Sequence, residues 1–133
     1  MNLTNNVYTA VYGALSAGEA TSGLTITRDE YPSGVSPAET GDIHIGIRGG
    51  KIVRLMGSEL QDYEITIGVA TRGNSTFDTA SELQSGIRTT LESGFSVSGG
   101  TFIYCLAREL PRQEDSTPID RVFAKYFLEV QVT

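Results

Sequence analysis

Residues 42–70, DIHIGIRGGKIVRLMGSELQDYEITIGVA, decide the fold that this sequence predicts. Apolar side chains recur there at every second position: Ile43, Ile45, Ile47, Tyr63, Ile65, Ile67 and Val69. A period of two is typical of a strand that packs one face on a core. The pair Gly49-Gly50 predicts a two-residue hairpin, and a second turn or loop is expected near Met56 to Gln61. The stretch therefore predicts a three-stranded meander.

Other parts of the chain alternate in the same way, around Leu24 and Ile26 and along Phe102, Tyr104 and Leu106. Near the end of the chain one face holds Val122, Ala124, Tyr126, Leu128, Val130 and Val132. Such one-sided strands indicate an antiparallel or mixed sheet with one face on a core and one face free. The free face is expected to carry Asp42, His44, Glu64, Lys125, Glu129, Phe123 and Phe127.

Two amphipathic stretches predict helices. In the first, from Leu3 to Ala17, apolar residues recur at every fourth position; Asn2 or Thr4 can cap its start, and Gly18 can end it with a left-handed residue. The second runs from Asp78, a good N-cap, to Ser93, with Gly94 after its end. Both helices can cover the apolar face of one sheet. We therefore expect residues 1–133 to form one α+β domain, a two-layer sandwich whose mostly antiparallel or mixed sheet has both helices on one face.

Composition excludes several classes of protein. The chain has 133 residues, with 10 Lys plus Arg and 16 Asp plus Glu, so its formal charge is −6. An acidic chain of this kind lacks the footprint of a general nucleic-acid binder and is a poor candidate for anionic membranes. No apolar run approaches the roughly 20 residues of a membrane helix, and the N-terminal residues do not read as a signal peptide. A soluble protein of a reducing cytoplasm is expected.

The search for a catalytic or metal site finds weak candidates only. A Cys–His pair would need His44 and Cys105 to meet across the sheet; we expect instead a strand-exposed histidine and a small buried thiol. Asp42 and His44 are two residues apart, as are Asp62 and Glu64, so these four groups could hold a divalent cation. The competing interpretation is a solvated strand face. We expect no enzymatic activity, no cofactor and no metal.

The order of motifs resembles that of the small tail-terminator proteins of long-tailed bacteriophages, also called tail-completion or minor capsid proteins. The resemblance includes the first helix, LTITRDEYP at residues 24–32, the stretch from residue 42 to 73, FDTASELQSGIRTTL at 77–91 and RVFAKYFLEVQVT at 121–133. The most useful pieces are Tyr31-Pro32, the D-Y-x-I-x-I strand and the FD-x-A helix start. Two stretches, from Asp29 to Gly41 and from Pro111 to Pro118, read as open loops, and the second has no clear counterpart in the family.

The resemblance implies a structural virion protein without enzymatic activity. Such proteins form a hexameric ring that caps the tail tube, stops its polymerisation and joins tail to head. The implied partners are further copies of the chain, the tail tube protein and the head-completion or stopper protein. The implied location is the tail-neck region of the virion, after assembly in the host cytoplasm. DNA would pass through the lumen without specific binding, because an acidic wall repels phosphates.

A ring of identical subunits requires two different surfaces that fit each other. We predict that the cationic hairpin tip, with Arg48, Lys51 and Arg54, reaches an acidic patch on the next subunit. The candidate acidic and apolar interface residues are Asp62, Glu64, Glu82, Phe123 and Phe127. The competing interpretation is a freely solvated hairpin.

Three other functions stay open on the sequence alone. The first is a head–tail connector or stopper, which would bind the portal or its adaptor rather than the tail tube. The second is a small metal-dependent hydrolase that uses Asp42, His44, Asp62 and Glu64. The third is a generic protein-binding module. The binding partner separates the first and third from a tail terminator, and metal titration of a His44→Ala variant tests the second.

Overall fold

The computed structural model describes residues 2–19, 21–28, 42–71, 77–114 and 120–133. Their elements are, in chain order, α1 (Thr4–Ala17), β1 (Ile26–Arg28), β2 (Asp42–Leu55), β3 (Ser58–Thr71), α2 (Phe77–Glu92), β4 (Gly100–Ala107), β5 (Arg112–Glu114) and β6 (Asp120–Val132). The loop predicted from Asp29 to Gly41 lies outside the described residues. Neither described helix, of 14 and 16 residues, is long and apolar enough to cross a membrane.

The strands form one six-stranded sheet in the order β1-β2-β3-β6-β4, with β5 also pairing with β6. β1 pairs with β2 in parallel, and the other ladders are antiparallel. Side chains from one face of the sheet and from both helices make a single buried core. We call that face of the sheet the inner face and the opposite one the outer face. The predicted α+β sandwich, with a mixed sheet and two helices on one face, is confirmed.

The first helix forms much as its sequence predicts. Val7, Val11 and Leu15 recur at every fourth position and are fully buried. The Asn2 side chain accepts a hydrogen bond from the Thr4 backbone N–H at 2.8 Å, which satisfies one free donor of the first turn.

The end of α1 differs from the prediction. Gly18 has φ −66° and is extended, not left-handed. A Cβ at Gly18 would lie 3.0 Å from the Thr21 hydroxyl and 3.2 Å from the Thr90 hydroxyl. A side chain at position 18 would therefore require both hydroxyl groups to move by a few tenths of an ångström.

The second helix starts one residue earlier than predicted, at Phe77, so Asp78 lies in its first turn and is not the N-cap. Gly94 follows the helix, as predicted, and has φ 98°, a conformation that favours glycine. On the buried side, Gln84 Nε2 donates to the carbonyl of Ile67 at 2.9 Å and to that of Val122 at 2.8 Å. One side chain therefore links α2 to two adjacent strands.

The predicted hairpin at Gly49-Gly50 is wrong. β2 runs through both glycines and is interrupted there by a bulge, and the chain turns at Met56 and Gly57. Neither Gly49 nor Gly50 has the positive φ that a two-residue type I′ turn requires, whereas Gly57 has φ 85°. In the bulge, Gly50 and Lys51 lie opposite the single residue Asp62. Residues 42–70 therefore form two long strands and not a three-stranded meander.

A second bulge, in β4, changes which side chains face the core. The register shifts between Phe102 and Tyr104, and beyond it Cys105 points into the core while Leu106 is 54% exposed. The expected alternation of Phe102, Tyr104 and Leu106 on one face therefore fails. The predicted loop from Pro111 to Pro118 is also partly wrong, because Arg112–Glu114 forms β5; residues 115–119 lie outside the described part of the chain.

Candidate functional site

The outer face of the sheet carries the residues that were expected on a free surface. His44 and Phe123 lie on it, across Gly68 on the strand between them. Their rings meet edge to face, with centroids 5.4 Å apart. His44 is only 5% exposed, so the expectation of a strand-exposed histidine is wrong. The side chain of Phe123 covers it.

Packing against the His44 ring leaves room only for glycine at position 68. A Cβ there would lie 2.0 Å from His44 Nε2, far inside van der Waals contact. The histidine ring therefore occupies the space that any other residue at position 68 would need. This contact depends on three strands meeting, and no local sequence signal predicts it.

Phe127 is also less exposed than expected. Its ring stacks on Tyr104 with centroids 6.0 Å apart, and the Arg108 guanidinium lies 4.7 Å from its centroid. Both phenylalanines are half-buried against neighbours within the chain. They belong to an ordered outer layer rather than to a bare apolar patch.

The acidic candidate residues do not form one patch. Glu64 lies on the outer face opposite Arg48, and its carboxylate is 4.0 Å from the Lys125 ammonium. Asp62 is two residues away on the same strand face. Glu82 is exposed on α2, which covers the inner face. Both side chains of the Glu64–Lys125 ion pair are about 40% exposed, so the pair contributes well under ~1 kcal/mol to stability.

The predicted cations lie along the end of the β2–β3 hairpin, residues 48–60, which we call the arm. Every residue from 48 to 57 is exposed. Arg48 and Lys51 stand at its root, on either side of the glycine pair, and not at its tip. Arg54 lies near the tip, where its Nε is 3.2 Å from Glu59 Oε1.

The tip of the arm is apolar, which sequence analysis missed. Ile52 is 59% exposed, Leu55 is 57% exposed and Met56 is fully exposed, with Val53 between them less so. The run IVRLM could have given the signal, because it places apolar residues on both faces of one strand. Without a fold, however, the same run reads as an ordinary buried strand.

A chain of hydrogen bonds holds the arm to the helical layer. The Leu3 backbone N–H donates to the Tyr63 hydroxyl at 3.0 Å, and that hydroxyl donates to Gln61 Oε1 at 2.5 Å. Gln61 Nε2 then donates to Glu59 Oε2 at 2.8 Å. This bond and, secondly, the one from Arg54 lower the pKa of Glu59. These bonds therefore link the β3 strand of the arm to the start of α1.

The metal-site alternative is not supported by the register. His44 pairs with Gly68, while Glu64 pairs with Arg48, four residues further along β2. At about 3.3 Å per residue, His44 lies roughly 13 Å and Asp42 roughly 20 Å from the level of Glu64 along the strands. Within the described ranges, no three or more His, Cys, Asp or Glu side chains are grouped as metal ligands would be.

The Cys–His alternative fails for a similar reason. Cys105 lies on the inner face of β4 and is buried in the core, whereas His44 lies on the outer face of β2. Two strands separate β2 from β4. Burial raises the pKa of the Cys105 thiol to about 12, so it stays protonated near neutral pH. The expectation of a small buried thiol is confirmed.

Comparison with known proteins identifies a shared fold. No family model matches the chain, and no curated protein matches it. Among solved structures, 19 chains match. One belongs to the virion of a native gene transfer agent particle; it is 13% identical, with a TM-score of 0.77 over 97% of this chain and 97% of that chain. At this identity the likeness shows that the two chains share a fold along nearly their whole length.

Proposed function

We propose that this chain is a structural protein of a phage-like virion with the role of a tail terminator. Six copies form a ring that caps the tail tube, stops its polymerisation and presents its other side to the head-completion or stopper protein. The protein acts by binding and not by catalysis. Its place is the tail-neck region of the virion.

The observation that carries this proposal is the fold likeness to a chain of a gene transfer agent virion. It covers 97% of both chains, so it includes both helices and the whole sheet rather than a common fragment. The order of sequence motifs points independently to tail terminators. Together they favour a virion component that packs against other virion proteins.

The arm supports an assembly role. A hairpin end that exposes Ile52, Leu55 and Met56 is costly for a solitary protein in water, because exposed apolar clusters of this kind favour association. A partner surface that covers the tip removes that cost. The cations Arg48, Lys51 and Arg54 on the same arm would then set the register and choice of partner.

The net charge fits passage of DNA. Six copies at −6 each give a ring a formal charge of −36. A wall of that sign repels phosphates and lets a duplex slide without sticking. The expected interaction with DNA is therefore weak at every sequence.

A tube-capping experiment tests the proposal. Tail tube protein of the same phage is polymerised with and without this protein, and tube lengths and ends are measured by negative-stain electron microscopy. The expected result is shorter tubes with a ring at one end. Unchanged tubes together with binding to portal or adaptor rings would instead identify a stopper, and binding to none of them would refute a neck role.

A further inference from the structure

The sheet has two open edges. β1 lies beside β2 only from Ile43 to Ile45, so within the described residues 46–55 have a ladder on one side alone, that of β3. At the other end of the strand order, the described partner of β4 is β6. An open edge presents backbone N–H and C=O groups that can pair with a strand of another molecule.

The two open edges lie at the same level along the strands. Following the ladders across the sheet, one row contains Arg54, Glu59, Val132 and Gly100. A second row contains Arg48, Glu64, Phe127 and Leu106. The seven residues of β4 from 100 to 106 therefore span the same height as the seven residues of β2 from 48 to 54. The edges match in both length and position.

The C-terminal end of the β4 edge, at Ala107, is closed by the side chain of Glu92. The Ala107 N–H donates to Glu92 Oε2 at 2.8 Å, and this bond is the main cause of the lowered pKa of Glu92. One edge donor is thus already satisfied within the chain. The open part of β4 ends just where the row of Arg48 begins on the opposite edge.

Strand direction also suits a repeating contact. β2 and β6 run one way, and β3 and β4 run the other way. When neighbouring subunits are related by a rotation about an axis parallel to the strands, each strand runs in the same direction in every copy. β4 of one copy then runs antiparallel to β2 of the next, which is the more stable pairing.

Side chains favour β2 against β4 over β2 against itself. Two β2 edges would bring Arg48, Lys51 and Arg54 against their own copies, whereas residues 100–107, GTFIYCLA, carry no charge. On the outer face, Leu106 is 54% exposed, and Ile103 in the bulge is 42% exposed. At matching height, Val53 lies level with Thr101, and Ile52 lies level with Phe102, beside the bulge that holds Ile103. Apolar cross-strand neighbours at Ile52 and Ile103 would stabilise the joined sheet.

We propose that β4 of one copy pairs with residues 46–55 of β2 in the next copy, so that the sheets join edge to edge around the ring. The proposal rests on the ring described above and names the contact that closes it. Such a contact is heterologous, because two different edges meet, and it can repeat until the rotation closes.

Two edge-blocked variants test this contact, since lysine on an edge strand prevents pairing. One carries Ile103→Lys and Leu106→Lys, and the other carries Val53→Lys and Leu55→Lys; all four side chains are exposed, so both variants are expected to fold. A matched control is Tyr12→Lys, an exposed position on α1. Native mass spectrometry measures the number of copies in each assembly, and circular dichroism checks the fold.

Each edge-blocked variant is expected to be monomeric, and the control is expected to form wild-type rings. An equimolar mixture of the two edge-blocked variants should give a one-to-one dimer, because each supplies the intact edge that the other lacks. Hydrogen exchange on the wild-type ring should show joint protection of residues 46–55 and 100–106.

Rings formed by either variant would overturn the edge contact while the ring itself stands. A homodimer of one variant would overturn it in favour of a like-with-like contact, and a wild-type protein that never assembles, even on tail tubes, would overturn both proposals.

Discussion

The backbone N–H of Leu3, the residue before α1, donates a 3.0 Å hydrogen bond to the hydroxyl of Tyr63, 60 positions later on β3. Both residues are buried. The bond ties the start of the helical layer to the root of the arm, and the same hydroxyl continues to Gln61. The direction of the arm is therefore coupled to the core.

Replacing Tyr63 by Phe removes this coupling. The Leu3 N–H is left buried without its acceptor, so we expect the free energy of unfolding to fall by about 1–3 kcal/mol. Urea denaturation measures the loss. Tyr12→Phe, at an exposed tyrosine, is the control and should change little. Equal midpoints for the two variants would show that the bond does not anchor the arm.

Gly68→Ala tests the histidine contact on the outer face. The new Cβ overlaps the His44 ring, so a loss of about 1–3 kcal/mol in stability is expected. Gly46→Ala is the matched control, since its nearest neighbour would be Thr66 Cβ at 3.8 Å. Adding His44→Ala to Gly68→Ala should recover part of the loss, because the two residues share one space. Additive losses in the double variant would contradict this packing.

Substitutions of glycine locate the true turn of the hairpin. Gly57 has φ 85°, so Gly57→Ala should cost about 1 kcal/mol of stability. Gly49→Ala should change stability by less than about 0.5 kcal/mol, because a Cβ there meets nothing within 4 Å. Thermal and urea denaturation measure both. The reverse order of effects would place the turn at Gly49-Gly50.

The buried thiol gives a pH dependence whose sign is defined. Burial raises the pKa of Cys105 from 9.0 to about 12, so the folded protein holds this proton more tightly than the unfolded chain. The protonated thiol makes its full contribution to the free energy of unfolding below pH 9. This contribution is lost as the pH rises from 9 towards 12, by at most about 1.4 kcal/mol per pH unit. Urea denaturation below and above pH 9 should show a steeper loss for wild type than for Cys105→Ala. Parallel pH profiles would refute the assignment.

Reversing Lys51 and Arg54 to Glu tests the cations of the arm. The fold should persist, because the Arg54 side chain is 80% exposed and its surface ion pair with Glu59 contributes little. Assembly should weaken about tenfold at low salt, which native mass spectrometry across protein concentrations can measure. Glu82→Lys, Asp62→Lys and Glu64→Lys are then each added to the double variant separately. The substitution at the residue that faces the arm should restore assembly. Rings of normal stability in the double variant would rule out an electrostatic role.

Sequence patterns predicted the elements whose two faces differ clearly. β6 has apolar residues at every second position from Val122 to Val130, and these are buried as expected. The stripe of Val7, Val11 and Leu15 located α1 for the same reason. These elements are encoded locally because burial of one face determines both their type and their phase.

The failures arise where distant residues decide the outcome. A glycine pair suits either a hairpin or a bulge, and at Gly50 the backbone of Asp62 lies within 3.3 Å of where a Cβ would be. The bulge in β4 changed which residues face outward, and burial of His44 depends on Phe123, which lies 79 positions away. The matching open edges follow from the ladders and cannot be derived from any single strand.

The central claim is that copies of this chain complete one another in a ring. Native mass spectrometry of the purified wild-type protein, with negative-stain imaging of the same sample, tests it most directly. The account predicts a closed assembly of six copies with a central hole. A single compact chain at every concentration, both free and in the presence of tail tubes, would contradict it.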